Sequence, residues 1–297
     1  MDRPALNTLH TPDCSDPARL AACPAPAKLN LFLHVVGRRA DGYHLLQTAF
    51  RLLDWGDTID FAVRTDGAIH RRNEVPGVPE AADLVVRAAR LLQAHTGCAL
   101  GADITVHKVL PMGGGIGGGS SDAATTLIAL NRLWGTGLSR AQLQALGLQL
   151  GADVPVFVYG RDAFAEGVGE ALQALDVPPA WYVMVAPKVS VPTAQIFSAP
   201  GLTRDSKPLI MRGFATHETR NDMQATVCKL FPEVAEALGW LSQYGAAIMS
   251  GSGACIFAPF DSKDVAEQVS AKAPEGWDVW IAKGLDSHPL KGWVAQV

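Results

Sequence analysis

Long apolar runs are missing from this 297-residue chain, and so is a marked excess of charge of one sign. No stretch of 18 apolar residues occurs, so the sequence predicts no membrane-spanning helix. The formal net charge is -4 and the Lys and Arg residues are dispersed. The sequence therefore lacks the basic surface that binding to nucleic acid or an anionic membrane requires. We expect any bound phosphate to belong to a small molecule.

Cysteine is also sparse and shows no motif. The five cysteines contain no CxxC pair, and they are Cys14, Cys23, Cys98, Cys228 and Cys255. An odd number of widely spaced cysteines argues against a disulfide framework or a zinc site. The first 23 residues lack the apolar segment of a secretory signal. These absences predict reduced thiols in a cytoplasmic protein. We assign no residue as a metal ligand from the sequence.

The composition that remains is that of an ordered globular protein, with 48% hydrophobic and 18% charged residues. This length favours two domains with a ligand cleft between them. Residues 1–23 lack periodicity and contain three prolines, which predicts a flexible extension before a fold that begins at Pro24. We divide the rest into domains at 24–170 and 171–297.

Hydrophobic periodicity predicts an α+β fold. The predicted strands are 29–35, 58–63, 104–110, 181–186 and 254–260. The predicted helices are 84–95, 121–134, 234–244 and 263–272.

The strongest local signal is a glycine-rich loop between a predicted strand and a predicted helix. It reads PMGGGIGGGSSDAA from Pro111 to Ala124. Backbone amides can close around phosphate where Cβ atoms are absent, and a helix N-terminus adds unpaired N–H donors. The loop therefore predicts polyphosphate binding, with a flexible linker or tight turn as the alternative.

Three familiar nucleotide motifs do not fit this loop. A Walker A loop needs Lys where Ser120 stands. A dinucleotide fold needs a ribose-binding carboxylate about 20 residues on, and no Asp or Glu occurs between Ala123 and Ala152. The HRD and DFG motifs of protein kinases are absent as well. The missing ribose-binding carboxylate excludes a nicotinamide oxidoreductase.

The glycine-rich loop resembles the phosphate loop of the GHMP kinases. Other segments extend the resemblance from about Pro24 to the C-terminus, in the same order and at similar spacing. They are PAPAKLNLFLHVVGRRADGYHLLQT (24–48), LGADVPVF (150–157), AFAEGVGE (163–170), VSVPTAQIF (189–197), Asn221-Asp222 and SGSGACIFA (250–258). They resemble the branch of GHMP kinases that phosphorylates 4-diphosphocytidyl-2-C-methyl-D-erythritol.

This resemblance implies a two-domain fold: a ribosomal-S5-domain-2-like ATP-binding domain, a ferredoxin-like C-terminal domain and an active site in the cleft. It implies transfer of the γ-phosphoryl of ATP, with Mg²⁺, to the 2-hydroxyl of that cytidylyl polyol in the non-mevalonate route to isoprenoid precursors. We expect a monomer or weak homodimer. The alternatives are a homoserine, mevalonate or sugar kinase, and a catalytically silent nucleotide-binding regulator.

Two residues are the candidates for catalysis. Asp153 precedes Val154 and Pro155, and Pro155 predicts an extended conformation at Val154 that would hold the carboxylate on a stiff segment. The resemblance makes Asp153 the general base, and makes Lys28 the cation that pairs with it. From the residues alone, the alternatives are a turn or helix-cap role for Asp153 and a solvated charge at Lys28.

The resemblance also implies two binding sets. For ATP, with Asp122 near the metal, it implies Asp83, Lys108, Pro111, Gly113, Gly114, Gly115, Gly117, Gly118, Gly119, Ser120 and Ser121. For the cytidylyl substrate it implies Asn30, Tyr43, His44, Thr193, Phe197, Gly251 and Gly253. Within the second set, His44 is expected to hydrogen-bond cytosine, and Tyr43 and Phe197 to stack on it.

The sequence departs from the family pattern at two positions. Asp83 stands where many relatives have Asn, and an ionised carboxylate cannot donate a hydrogen bond. Ile248 stands where relatives often have Arg. These departures put an adenine contact and a phosphate or interdomain contact in doubt.

Overall fold

The larger sheet is built around one long pair of strands. The structure, a computed structural model, describes residues 9, 11–40, 42–209 and 220–295. Strand β1 (Arg19–Arg38) pairs antiparallel with β2 (His44–Arg64) over most of their length. The other strands are β3 (Ile69–Arg71), β4 (Gly101–His107), β5 (Ala163–Glu166) and β6 (Ala171–Ala174). The order is β3-β4-β2-β5-β6, with β1 paired to β2.

Among the described residues, this part of the chain has four α-helices and one short 3-10 helix, Glu80–Ala82. The α-helices are α1 (Leu84–Thr96), α2 (Gly118–Leu133), α3 (Arg140–Leu150) and α4 (Val154–Tyr159). Helix α2 is the central one, because it packs against β1, α1 and α4. An unbroken run of its residues, Ser121 to Asn131, is buried. Because α2 is held on several sides, the glycine-rich loop at its N-terminus is attached to a fixed support.

The second sheet has four antiparallel strands in the order β10-β7-β9-β8. Its strands are β7 (Trp181–Ala186), β8 (Ile248–Met249), β9 (Ile256–Phe260) and β10 (Asp278–Lys283). Its helices are α5 (Thr193–Ser198), α6 (Gln224–Leu230), α7 (Pro232–Leu241) and α8 (Lys263–Ser270). Residues from β7, β9, α7 and α8 form a separate apolar core.

The two halves share chain segments. Leu33 and Val35 of β1 are buried in the second core, whereas Leu290 and Val294, near the C-terminus, are buried in the first. The domain boundary predicted after residue 170 falls within the larger sheet, since β6 pairs with β5. The two halves are therefore connected by β1 and by the C-terminal segment, and not only by one linker.

The fold begins earlier than predicted. β1 starts at Arg19, which pairs with Ala62, so the predicted start at Pro24 is wrong. Leu20 and Cys23 are buried in the first core. Part of the predicted extension, residues 1–8 and 10, lies outside the described residues. Pairing with a distant strand, which local periodicity cannot reveal, orders residues 19–23.

The sequence-predicted helices and strands occur with shifted ends, and the strand at 181–186 has the predicted bounds. The conformation predicted at Val154 is wrong. Val154 is the first residue of α4, and Pro155 lies in its first turn. Proline is tolerated there because backbone N–H groups in the first turn have no partner within the helix. Asp153 is thus the residue before a helix rather than part of an extended segment.

Candidate active site

Two cavities meet at the glycine-rich loop. One, of about 840 Å³, is lined by Lys28, Tyr43, His44, Asp153 and Phe197, and we call it the acceptor cavity. The other, of about 340 Å³, lies beside α1 and is lined by residues that include Asp83, Lys108 and Asp122; we call it the nucleotide cavity. Gly113, Gly115, Gly117 and Ser120 line both. A phosphate chain held at the loop would reach from one cavity to the other.

Lys28 and Asp153 lie where the cavities meet. The Lys28 Nζ atom is 3.2 Å from Asp153 Oδ2. It also donates to Asn30 Oδ1 and, at 3.1 Å, to the carbonyl oxygen of Gly115. Lys28 is buried, whereas 35% of the Asp153 side chain is exposed. Asp153 makes no capping hydrogen bond to α4, so its carboxylate is turned to the cation and the cavity.

Asn30 is fixed in orientation by its neighbour across the strand pair. Its Nδ2 donates to Thr48 Oγ1 at 2.9 Å, and Thr48 donates in turn to the carbonyl oxygen of Phe32. The Asn30 carbonyl oxygen is therefore the atom that faces Lys28. We call these three residues and Asp153 the reaction centre: Lys28, Asn30, Thr48 and Asp153.

The glycines of the loop are needed for close approach. Gly115 and Gly117 have positive φ values of 75° and 79°. A Cβ atom at Gly115 would lie 2.3 Å from the carbonyl oxygen of Ser250, and one at Gly117 would lie 2.8 Å from the Phe157 ring. Both positions exclude side chains, which leaves the loop amides free to approach an anion.

The loop between β8 and β9, residues 250–255, packs against the glycine-rich loop and donates hydrogen bonds to it. The Ser250 hydroxyl donates to the carbonyl oxygen of Gly115 at 3.0 Å, and Cys255 N donates to that of Gly114 at 3.2 Å. Asn221, which is buried, donates to the carbonyl oxygens of Met249 and Gly251. The loop between β8 and β9, itself held by Asn221, thus fixes the position of the glycine-rich loop.

The nucleotide cavity contains a buried charge cluster. Lys108 Nζ contacts Asp57 Oδ2 and, at 2.7 Å, Asp122 Oδ2. Burial lowers the pKa of Lys108, but Asp122 and Asp57 more than offset this and raise it above its ordinary value. Burial, and then the charge of Asp57, raise the pKa of Asp122. Lys108 is therefore held as a charged ammonium at the edge of the cavity.

Asp83 and Ile248 have definite structural roles. Asp83 accepts from Val85 N at the start of α1 and pairs with Arg71. An aspartate suits both tasks, because each partner donates. Ile248 pairs with Phe257 and packs in an apolar cluster, away from both cavities.

Tyr43, His44 and Phe197, which we call the base clamp, line the acceptor cavity. They lie away from the reaction centre, because His44 is the first residue of β2 whereas Lys28 pairs with Leu52. The His44 and Phe197 rings are stacked with centroids 4.7 Å apart. Tyr43 is 65% exposed. The Thr193 hydroxyl is 2.7 Å from that of Ser252, which joins α5 to the loop that supports the phosphate loop.

Two predicted binding residues lie behind the cavities rather than in their walls. Ser121 is fully buried, and Gly253 packs against Met249. Sequence reasoning missed Thr48, Asp57, Arg71, Ser250 and Arg204. Thr48 and Ser250 lie inside segments that carry the resemblance, and the other three could have been found only through their partners in space.

Comparison with known proteins identifies the fold. Residues 83–161 match the model of the GHMP kinases N terminal domain, and residues 211–279 that of the GHMP kinases C terminal domain. A homoserine kinase from Cytophaga hutchinsonii superposes with a TM-score of 0.67 at 15% identity, covering 93% of this chain and 97% of that one. The fold and the site thus define a GHMP kinase.

Nearer relatives narrow the assignment. A 4-diphosphocytidyl-2-C-methyl-D-erythritol kinase from Azoarcus sp. is 68% identical, covering 92% of this chain and 97% of the relative. A kinase of the same name from Herminiimonas arsenicoxydans is 58% identical, covering 90% and 96%. A crystal structure of a 4-(cytidine 5'-diphospho)-2C-methyl-D-erythritol kinase superposes with a TM-score of 0.75 at 33% identity, covering 88% and 98%. The chain belongs to the 4-diphosphocytidyl-2-C-methyl-D-erythritol kinase family.

Within the described ranges, none of the helices combines the length and apolar character needed to cross a bilayer.

Proposed function

We propose that this chain transfers the γ-phosphoryl group of ATP to the 2-hydroxyl of 4-diphosphocytidyl-2-C-methyl-D-erythritol, giving the 2-phosphate and ADP. The observation that carries the proposal is the Lys28–Asp153 pair, at 3.2 Å, where the two cavities meet. We further propose a cytoplasmic enzyme that is a monomer or weak homodimer.

In this mechanism Asp153 accepts the proton of the attacking hydroxyl. Its partly exposed carboxylate lines the cavity, and a base must lie within hydrogen-bond reach of the proton it removes. Lys28 holds the carboxylate in place and polarises the hydroxyl. Because three protein oxygens surround Lys28 Nζ, its position is set before substrate binds.

The phosphate loop holds the polyphosphate at the start of α2. The amides of Gly115 to Gly119 and the Ser120 hydroxyl are the donors, helped by the positive end of the helix dipole. Lys108 and Asp83 contribute to the nucleotide cavity from its edge. At the other end of the acceptor cavity, the base clamp, with Thr193, holds the cytosine moiety.

The residues near α2 also fit a magnesium ion. Magnesium is commonly bound by one or two carboxylates together with phosphate and water oxygens. Among the described residues, Asp122 Oδ1 and Ser121 Oγ are buried without hydrogen-bond partners. That part of the chain contains no group of three or more His, Cys, Asp or Glu that could hold a metal, so Asp122, which lines the nucleotide cavity, would share the ion with ATP. When bound, it offsets the charge of the phosphates.

An ATP-consumption assay tests the proposal. The purified protein should turn over ATP with the cytidylyl methylerythritol, and with neither mevalonate nor homoserine. Comparable turnover of mevalonate or homoserine would overturn the substrate assignment. Absence of turnover with all three, despite ATP binding, would favour a silent regulator.

A further inference from the structure

Arg204 joins the two sides of the base clamp. It follows α5 in the chain, and its Nη2 donates to the carbonyl oxygens of Phe197 and Ala199, each at 2.8 Å. Its Nη1 donates to the carbonyl oxygen of Leu202 at 3.1 Å, and its Nε donates to His44 Nε2 at 3.3 Å. The carbonyl oxygens at the end of a helix have no partner within it. One guanidinium therefore fixes both the end of α5 and the His44 ring of β2.

The contact with Arg204 decides which nitrogen of His44 carries the proton. A guanidinium can only donate, so the bonded Nε2 must accept. A neutral imidazole has one donor and one acceptor, which puts its proton on Nδ1. Burial lowers the pKa of His44, and the charges of Arg204 and Arg38 lower it further. The ring is thus neutral at pH 7, and Nδ1–H is the ring donor left to a residue that lines the acceptor cavity.

Cytosine and uracil differ in what they show to such a donor. The N3 atom of cytosine accepts a hydrogen bond, whereas N3 of uracil carries a proton and donates. A fixed Nδ1–H group would be satisfied by cytosine N3 and would meet the N3–H of uracil without an acceptor. A site that leaves buried polar groups unpaired rejects the wrong ligand strongly.

We propose that Arg204 is a specificity-determining positioning residue, which holds His44 as an Nδ1–H donor and so makes the site prefer a cytidylyl to a uridylyl substrate. This inference rests on the proposed function, because it assumes that the base clamp binds a pyrimidine. It assigns a role to Arg204 within that function and explains why the site would prefer cytosine to uracil.

Kinetics with the cytidylyl substrate and its uridylyl analogue test the role. The wild-type kcat/KM should favour cytidylyl by at least about tenfold, the effect of roughly one unmade hydrogen bond. Arg204→Met should lower this preference about tenfold, mainly through KM for the cytidylyl substrate, with KM for ATP within about twofold. Arg204→Lys, which keeps a donor, should retain more of the preference than Arg204→Met.

The double variant separates a specific contact from a general loss of structure. Added to His44→Ala, Arg204→Met should change the base preference by less than about twofold, because its partner is already gone. An unchanged preference in Arg204→Met alone, or an equal fall in the His44→Ala background, would overturn the proposal.

A spectroscopic measurement on the substrate-free full chain tests the hydrogen bond directly. Nitrogen-15 spectra of labelled histidine should show His44 protonated on Nδ1 in the wild-type protein, and a mixture of tautomers in Arg204→Met. A wild-type His44 protonated on Nε2 would refute the proposal. Failure of the wild-type enzyme to use the cytidylyl substrate would instead refute the proposed function, whatever the spectra show.

Discussion

Lys28 and Asn30 are 2% and 3% exposed, whereas Tyr43, at the other end of the same cavity, is 65% exposed. The reaction centre takes three of its members from one strand pair, where Asn30 and Thr48 bond across β1 and β2. The base clamp takes its members from the start of β2 and from α5, with Arg204 as the connection. In the first, these three members are bonded within one sheet; in the second, the Arg204 side chain connects His44 to α5.

This difference suggests a division of labour between the two ends. Phosphoryl transfer requires reacting groups held to within fractions of an ångström, which a buried sheet provides. Recognition of the base requires a ring to enter and leave, which is easier where side chains come from separate segments. Changes in the reaction centre should therefore lower kcat, and changes in the base clamp should raise KM for the acceptor.

The largest effect is expected at Asp153. Asp153→Asn removes the base and its charge while keeping its shape, so kcat should fall by about two orders of magnitude or more, with both KM values within a few-fold. Steady-state kinetics measure this. Asp176→Asn, at a fully exposed side chain paired with Arg161, should behave as wild type. Near-normal turnover by Asp153→Asn would remove this residue from the mechanism.

In the base clamp, Phe197→Ala and His44→Ala should each raise KM for the cytidylyl substrate about tenfold. Stacking on an aromatic ring is worth roughly 1–3 kcal/mol, and about 1.4 kcal/mol is a factor of ten. KM for ATP should stay within about twofold. If ATP binding weakened instead while the acceptor was spared, the two cavities would have exchanged their ligands.

A smaller loss is expected at the support of the reaction centre. Thr48→Val removes the hydroxyl that orients Asn30, so kcat should fall about fivefold while acceptor KM changes little, since the cost is about one hydrogen bond. Thr125→Val is the matched control, because its equally buried hydroxyl bonds the carbonyl oxygen of Pro24. A rise in acceptor KM without loss of kcat in Thr48→Val would contradict the division of labour.

The smallest effect concerns pH and the base clamp. The pKa of His44 lies below its ordinary value of 6.5, through burial and then the charges of Arg204 and Arg38. Its neutral form, which we take to bind the base, persists above pH 6.5 and is lost only below that. Acceptor KM should therefore be flat from about pH 8 to 6.5 and rise about threefold at lower pH. Measured alongside, His44→Ala should lack that rise.

Part of this arrangement follows from local sequence. The glycine-rich loop and the helix after it were predicted together, because a run of glycines ahead of good helix formers encodes both a tight loop and a helix start. The strand at 181–186 was predicted with its bounds for a similar reason, since five of its residues are buried in an apolar run. Each feature depends on neighbours in the chain.

What only the tertiary structure decided are pairings between distant residues. β1 begins at Arg19 because Ala62 is there to pair with it, and Val154 is helical because α4 packs on α2 and α3. The contacts of Lys108 with Asp57 and of Arg204 with His44 likewise join separate elements. The sequence alone determined the types of group that could bind phosphate and a base. Their partners were decided only by folding, because a charge or a hydrogen bond acts on whatever lies within a few ångströms, however far away it is in the chain.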